Sequence, residues 1–130
     1  MKIERRFTER GRDAYAAIPF RRAVSEIRNP DGSIVFRLAD MEAPEAWSQV
    51  AVDVLAQKYF RKAGVPAKAK RVEEAGVPEW LQRSVADEAA LAELPAAERV
   101  GGESSAKQVF DRLAGTWAYW GWKGGYFDGE

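Results

Sequence analysis

The apolar residues of this chain change period near residue 40, from two to about 3.6, and that switch constrains the fold more than any other feature. Before it, Ala23-Val-Ser-Glu-Ile-Arg-Asn-Pro-Asp-Gly-Ser-Ile-Val-Phe-Arg-Leu38 reads as a β-hairpin over 23–38. Asn29-Pro30-Asp31-Gly32 supplies the turn: proline fixes φ, Asp31 bonds its own backbone and Gly32 accepts positive φ. Ile34, Phe36 and Leu38 then alternate with Val35 and Arg37, a strand with one buried face. After the switch, Trp47, Val50, Ala51, Val54, Leu55 and Tyr59 share one helical stripe. Pro44 suits the first helical position and Gly64 the C-cap, so the spacing predicts a helix over 44–62.

Two more helices follow on the same grounds. A basic linker opens at Val65-Pro66, and Pro78 can start a helix over 79–93, with Trp80, Leu81, Val85 and Ala89 inward and Pro95 ending it. Ser105-Ala-Lys-Gln108 fits a capping box, and Ala106, Val109, Phe110, Leu113, Ala114, Trp117 and Trp120 continue as one stripe. That predicts a helix over 105–120, ended by Gly121. Residues 1–22 have no clean periodicity and read as an arm with one short strand over 14–20. The predicted fold is α+β, mainly α: an N-terminal hairpin and about three helices packed around one core, in a single domain over 1–130.

Composition narrows the chemistry. The chain has no cysteine and no histidine. It therefore lacks a disulfide framework, a thiol nucleophile, the commonest general base and the commonest transition-metal ligand. Its 20 basic and 20 acidic residues cancel, which removes the main electrostatic argument for nucleic acid or an anionic membrane as partner. No stretch approaches the roughly 20 apolar residues of a transmembrane helix, and the N-terminal residues lack a signal-peptide apolar run. A cytoplasmic location is the expectation.

The balance hides alternating blocks. Residues 58–71 carry six bases and no acid, whereas 72–103 carry eight acids against two bases. Pairing within the fold or solvation accounts for such runs better than a nucleotide or RNA site at Lys58, Arg61, Lys62, Lys68, Lys70 and Arg71. The acidic groups (Asp40, Glu42 and Glu45; Glu73 and Glu74; Asp87 and Glu88) sit at predicted helix ends or polar faces, where solvated carboxylates are the norm. Gly101-Gly102 and Gly124-Gly125 fit no phosphate-binding pattern and read as turns. No catalytic, cofactor-binding or metal residue is assigned.

The conspicuous feature is Trp117, Tyr119, Trp120, Trp122, Tyr126 and Phe127, since chain termini are normally polar and frayed. Stacking of single-stranded nucleic acid would use such residues, with Lys123 nearby. Helical spacing and zero net charge favour core packing by Trp117 and Trp120, together with a surface for further polypeptide. The candidate docking surface is thus Trp117, Trp120, Trp122, Tyr126 and Phe127.

Several runs carry a resemblance. Ser25-Glu-Ile-Arg-Asn-Pro-Asp-Gly-Ser33, Val54-Leu-Ala-Gln-Lys-Tyr-Phe-Arg-Lys-Ala-Gly-Val-Pro66, Ser84-Val-Ala-Asp87, Ser105-Ala-Lys-Gln-Val-Phe-Asp-Arg-Leu-Ala-Gly115 and Tyr119-Trp-Gly-Trp-Lys-Gly-Gly-Tyr-Phe127 closely resemble the N-terminal region of bacterial class II ribonucleotide reductases. The resemblance implies a parent oxidoreductase that makes 2′-deoxyribonucleotides for DNA synthesis with adenosylcobalamin. In that family the cofactor generates a cysteine thiyl radical inside a ten-stranded α/β barrel, and a cysteine pair supplies electrons. With no cysteine, this chain carries none of those residues and is expected to bind no cofactor itself. It reads as a non-catalytic N-terminal accessory domain, cut just before the barrel. Helices 44–62 and 105–120 would pack on the barrel of the same polypeptide, and the aromatic tail would form the seam. Nucleotide would be met only through the parent, and neither nucleic acid nor membrane is an expected partner. The alternative is a free-standing interaction module that uses its C-terminal aromatic cluster. The hairpin is also loosely similar to the one that opens ATP-cones, but Arg28-Asn-Pro-Asp-Gly32 departs from their basic signature, so no effector site is assigned.

Overall fold

The structure, a computed structural model, describes residues 5–127, so residues 1–4 of the expected arm lie outside it. In chain order it contains β1 (Phe20–Arg28), β2 (Ile34–Pro44), α1 (Gln49–Val54), β3 (Val65–Pro66), β4 (Ala69–Arg71), β5 (Ser84–Ala86), α2 (Glu88–Ala92), β6 (Val100–Gly101) and α3 (Ala106–Lys123). The class is α+β. Among the described residues helix takes 33% and strand 25%, too much strand for a mainly α fold. Contacts divide the chain into two compact units, residues 1–60 with 104–130, and residues 61–103, instead of three helices around one core.

In the first unit, β1 and β2 pair antiparallel. Their turn closes as the chemistry dictates. The Gly32 amide donates to the Asn29 carbonyl at 2.9 Å, and Gly32 has φ of 86°. Asp31 accepts from both the amide and the hydroxyl of Ser33, which holds its carboxyl below the usual range. The hairpin is longer than the alternation indicates, running from Phe20 to Pro44 rather than over 23–38. A bulge is the reason: Ala23 pairs with Met41 and Ser25 with Leu38, so Ala39 and Asp40 together oppose Val24. Asp40 takes φ of 58° there, and Arg22 donates to its carbonyl at 3.1 Å. The extra residue changes parity, so Met41 and Ala43 become the core-facing residues after Phe36 and Leu38. The strand expected over 14–20 is instead a pair of tight turns before β1, with the Ala16 amide donating to Asp13 and the Ile18 amide to Tyr15.

Pro44 ends β2, so it does not open the next helix. Ser48 is the cap, its hydroxyl accepting from the Ala51 amide at 3.3 Å. After α1 the helix widens into a π turn over Leu55–Tyr59, closed by the Phe60 amide donating to the Leu55 carbonyl at 3.1 Å. This widening and the later start rotate the buried face. Val52, Leu55, Ala56 and Phe60 are inward, whereas Val50, Val54 and Tyr59 of the expected stripe are exposed. Together with Ala23, Met41, Ala43, Ala106 and Val109 they make one core, flanked by Trp47 and Phe110 in edge-on contact at 5.7 Å.

The second unit is built from short pieces. β3 pairs with β6 and β4 with β5, both antiparallel. The helix expected over 79–93 does not form. A 3₁₀ turn (Glu79–Leu81), β5 and α2 occupy that span. Ser84, Val85 and Ala86 are drawn into pairing with residues 69–71, and Asp87 then caps α2, accepting from the Ala90 amide at 3.3 Å. The stretch expected as a basic linker thus supplies two strands. Arg61 and Glu103 close the unit's base: the Arg61 amide donates to the buried Glu103 carboxylate at 2.9 Å, and the Glu103 amide to the Arg61 carbonyl at 2.8 Å.

Candidate docking surface

α3 begins with strong local instructions. The Ser105 hydroxyl accepts from the Lys107 amide at 3.2 Å, while the Gln108 side chain accepts from the Ser105 and Ser104 amides at 2.9 and 2.8 Å. The same hydroxyl donates to Glu42 at 2.6 Å, and Lys107 stands 3.4 Å from that carboxylate. These contacts, the serine first, hold the Glu42 carboxyl below its ordinary range against the opposing effect of burial. One turn on, the Tyr15 hydroxyl donates to Asp111 at 2.6 Å. Burial, then that bond, pushes the Tyr15 hydroxyl well above its ordinary value. The Tyr15 ring meets Phe20 edge-on at 5.8 Å, and the Lys107 ammonium lies 4.3 Å from the Phe20 ring centre. The arm is therefore fastened to the start of α3. Sequence reasoning found the capping box but not this cluster, because nothing local links Tyr15 or Glu42 to residues 105–111.

The other end of α3 is different. Its 18 residues make a rod about 27 Å long. Ala106, Val109, Phe110 and Leu113 pack on the core. Trp117 and Trp120 continue the same stripe, yet each is 64% exposed. The expectation that they pack in the core is corrected: the core cluster includes only residues of the first half of the helix, and Trp117 and Trp120 stay exposed beyond it.

The helix also runs past Gly121, to Lys123. The chain then turns back. The Gly124 amide donates to the Trp120 carbonyl at 2.9 Å and the Tyr126 amide to the Gly121 carbonyl at 2.9 Å. Phe127 and Tyr126 lay their rings on two glycines. A Cβ at Gly121 would stand 2.5 Å from the Phe127 ring, and one at Gly124 would stand 2.7 Å from the Tyr126 ring. On a helical wheel residues 117, 120, 121 and 124 fall within an arc of about 100°. Trp117, Trp120, Tyr126 and Phe127 therefore share one aromatic strip, with Tyr126 60% exposed. Trp122 does not join it. It is half-buried and packs against Tyr119, ring centres 5.9 Å apart. The glycines were legible only as punctuation; their use as ring seats depends on the chain reversal.

Three of the remaining candidates are engaged locally. Glu74 pairs with Arg83 at 2.9 Å, Asp87 caps α2, and Arg71 donates to the Glu79 carbonyl at 2.6 Å. In residues 61–103 an open hollow of about 330 Å³ is lined by Pro66, Ala86, Leu91, Arg99 and Val100 among others. Arg99 spends its guanidinium on the carbonyls of Leu94 and Ala92, at 2.9 and 3.2 Å. Among the described residues no group of three or more acidic, histidine or cysteine side chains could hold a metal ion, and no helix is long and apolar enough to cross a membrane.

Comparison with known proteins gives this arrangement a setting. The family model for class II vitamin B12-dependent ribonucleotide reductase matches residues 21–130. The chain belongs to that family. It is 71% identical over 130 residues to the vitamin B12-dependent ribonucleotide reductase of Agrobacterium fabrum and 65% identical over 130 residues to that of Bradyrhizobium diazoefficiens. In both alignments the whole chain is covered, but only 10% of the relative. A counterpart in Rhodopirellula baltica is 27% identical over 129 residues, 98% of this chain and 9% of that protein. The chain corresponds to the N-terminal tenth of such reductases.

Proposed function

We propose that this N-terminal domain of a B12-dependent ribonucleotide reductase is non-catalytic and supports the catalytic barrel of the same cytoplasmic polypeptide by packing against it. One observation carries the reading: an apolar helix face, buried in its first half, is left open in its second half at Trp117 and Trp120, in a chain that spans a tenth of its relatives. Exposed apolar patches of this kind mark surfaces that another surface covers. The parent would reduce ribonucleotides to deoxyribonucleotides.

The residues present do not fit a corrinoid. The chain has no histidine to approach cobalt and no cysteine to carry a radical, and the open hollow of about 330 Å³ in residues 61–103 is lined mainly by small apolar side chains, with an arginine that donates to the carbonyls of Leu94 and Ala92. We therefore assign the cofactor and the reducing thiols to the rest of the polypeptide. The free-standing interaction module finds no support among relatives of which the chain is a tenth. Deletion of residues 1–130 from the full-length reductase tests the reading. A loss of folded, active enzyme is expected; unchanged folding and turnover would refute it.

A further inference from the structure

We propose that the polypeptide immediately after residue 130 forms a helix that returns antiparallel along the Trp117–Trp120 face of α3, completing a helical hairpin. This rests on the reading that the domain continues into a longer reductase chain, and it names the segment that covers the open face.

Three observations converge on that segment. First, the reversal is already built. The Tyr126 amide donates to the Gly121 carbonyl at 2.9 Å and Gly125 takes φ of 70°, a helix-ending turn that stops α3 and brings the Phe127 ring back over Gly121. Second, the reversal is aimed. Phe127 seats on Gly121 and Tyr126 on Gly124, and both glycines lie on the arc that displays Trp117 and Trp120. The last two described side chains therefore lie on the exposed face, with about two helical turns of stripe running back toward Leu113. Third, the strip matches a helix in form. Its apolar arc of about 100° continues the stripe that the core covers, and a facing helix at 8–10 Å would bury both halves alike. A segment joined by a short loop reaches the face at the smallest closure entropy, and consecutive elements are usually neighbours in space. Helices joined by a few residues pair in this way.

The test uses the full-length reductase with a photo-reactive benzoylphenylalanine in place of Trp117, and separately of Trp120. Adducts are mapped by peptide mass spectrometry. The expected result is cross-linking within the first ~30 residues after residue 130, at positions spaced three or four apart. Adducts confined to more distant parts of the same chain would overturn the helical hairpin and leave docking on the barrel standing. Adducts to another protein molecule would overturn both, as would the absence of any intramolecular adduct. A second measurement does not depend on the probe: Gly121→Val removes the Phe127 seat. Hydrogen exchange in the full-length enzyme should then rise at least tenfold in the segment after residue 130, with the β1–β2 hairpin unchanged. Equal protection in the variant and the parent would also overturn the proposal.

Discussion

The two halves of α3 carry one apolar stripe into opposite surroundings. Around residues 105–113 the helix is held by several partners: by its capping box, by Glu42 from β2, by Tyr15 from the arm, and by Trp47 against Phe110. Beyond Leu113 the stripe continues through Trp117 and Trp120 with nothing across from it but the chain's own last aromatics, seated on glycines. The apolar periodicity is the same on both sides, although Gly115, Thr116 and Gly121 make the second half the weaker helix former. What differs is the partner, and a stripe alone does not reveal whether its partner belongs to the same compact unit. An apolar side chain at the right spacing is a statement about burial somewhere, not about where.

The sharpest way to break the comparison is to place a charge in the covered half. Val109 is 1% exposed among Ala106, Leu55 and the hairpin residues. Val109→Asp should cost on the order of 4 kcal/mol or more, because the carboxylate would be buried without a partner. Denaturant unfolding of the chain, followed by tryptophan fluorescence, should show the first unit unfolded or close to it. A midpoint near that of the parent chain would mean that the first half of the helix is not the anchor.

The same kind of change in the open half should depend on context. Trp117→Ala with Trp120→Ala should alter the stability of this chain by no more than about 0.5 kcal/mol, as expected for exposed positions away from special features. In the full-length reductase each should cost about 3 kcal/mol, the loss expected when a large buried aromatic is truncated. The readout is the difference between the two unfolding midpoints. Equal small effects in both settings would make the strip a surface that stays wet.

Much of the first unit was legible because its signals are local. The turn at Asn29–Gly32 and the capping box at Ser105–Gln108 each lie within a few residues, and each is made by the atoms that the sequence names. Other features depended on partners distant in sequence. The bulge at Ala39–Asp40 moved the buried parity from Phe36 and Leu38 to Met41 and Ala43, so alternation ended too early. The π turn exchanged Tyr59 for Phe60 in the core. In residues 61–103, a helix-compatible stretch around Trp80 and Val85 lost to strand pairing with residues 69–71, a contact that periodicity cannot see. Of the candidate surface, Trp117, Trp120 and Tyr126 emerged as exposed, while Trp122 turned to Tyr119 and the roles of Gly121 and Gly124 went unread.

Smaller changes grade the strength of the fastened end. Ser105→Ala removes both the cap and the hydroxyl that donates to Glu42, and should cost about 1 kcal/mol, up to about 2. It should also reshape the acid response. The folded state holds the Glu42 carboxyl below its unfolded value, so that contribution is complete above the ordinary glutamate range and drains as pH falls through the folded value. Urea midpoints between about pH 3 and 6 should therefore fall less steeply with acidification in Ser105→Ala and in Glu42→Gln than in the parent. Parallel curves would remove Glu42 from the set of contacts that hold the helix start.

The mildest test concerns the arm. Tyr15→Phe keeps the ring against Phe20 and deletes only the hydroxyl that donates to Asp111, so the cost should be about 1 kcal/mol or less. The global midpoint will barely register it, but local opening will. The Ile18 amide, which donates to the Tyr15 carbonyl at 2.9 Å, should exchange up to about fivefold faster in the variant while amides of the β1–β2 hairpin keep their rates. Alkali should imitate the mutation in the parent. Burial first and the Asp111 bond second make the folded hydroxyl resist ionisation, so their joint contribution is whole below the ordinary tyrosine value near 10 and is lost as pH climbs above it toward the folded value. If Ile18 exchanges at equal rates in both proteins, the arm is held by its ring alone, and the fastened end of α3 owes less to its polar contacts than to Phe110 and the core beneath it.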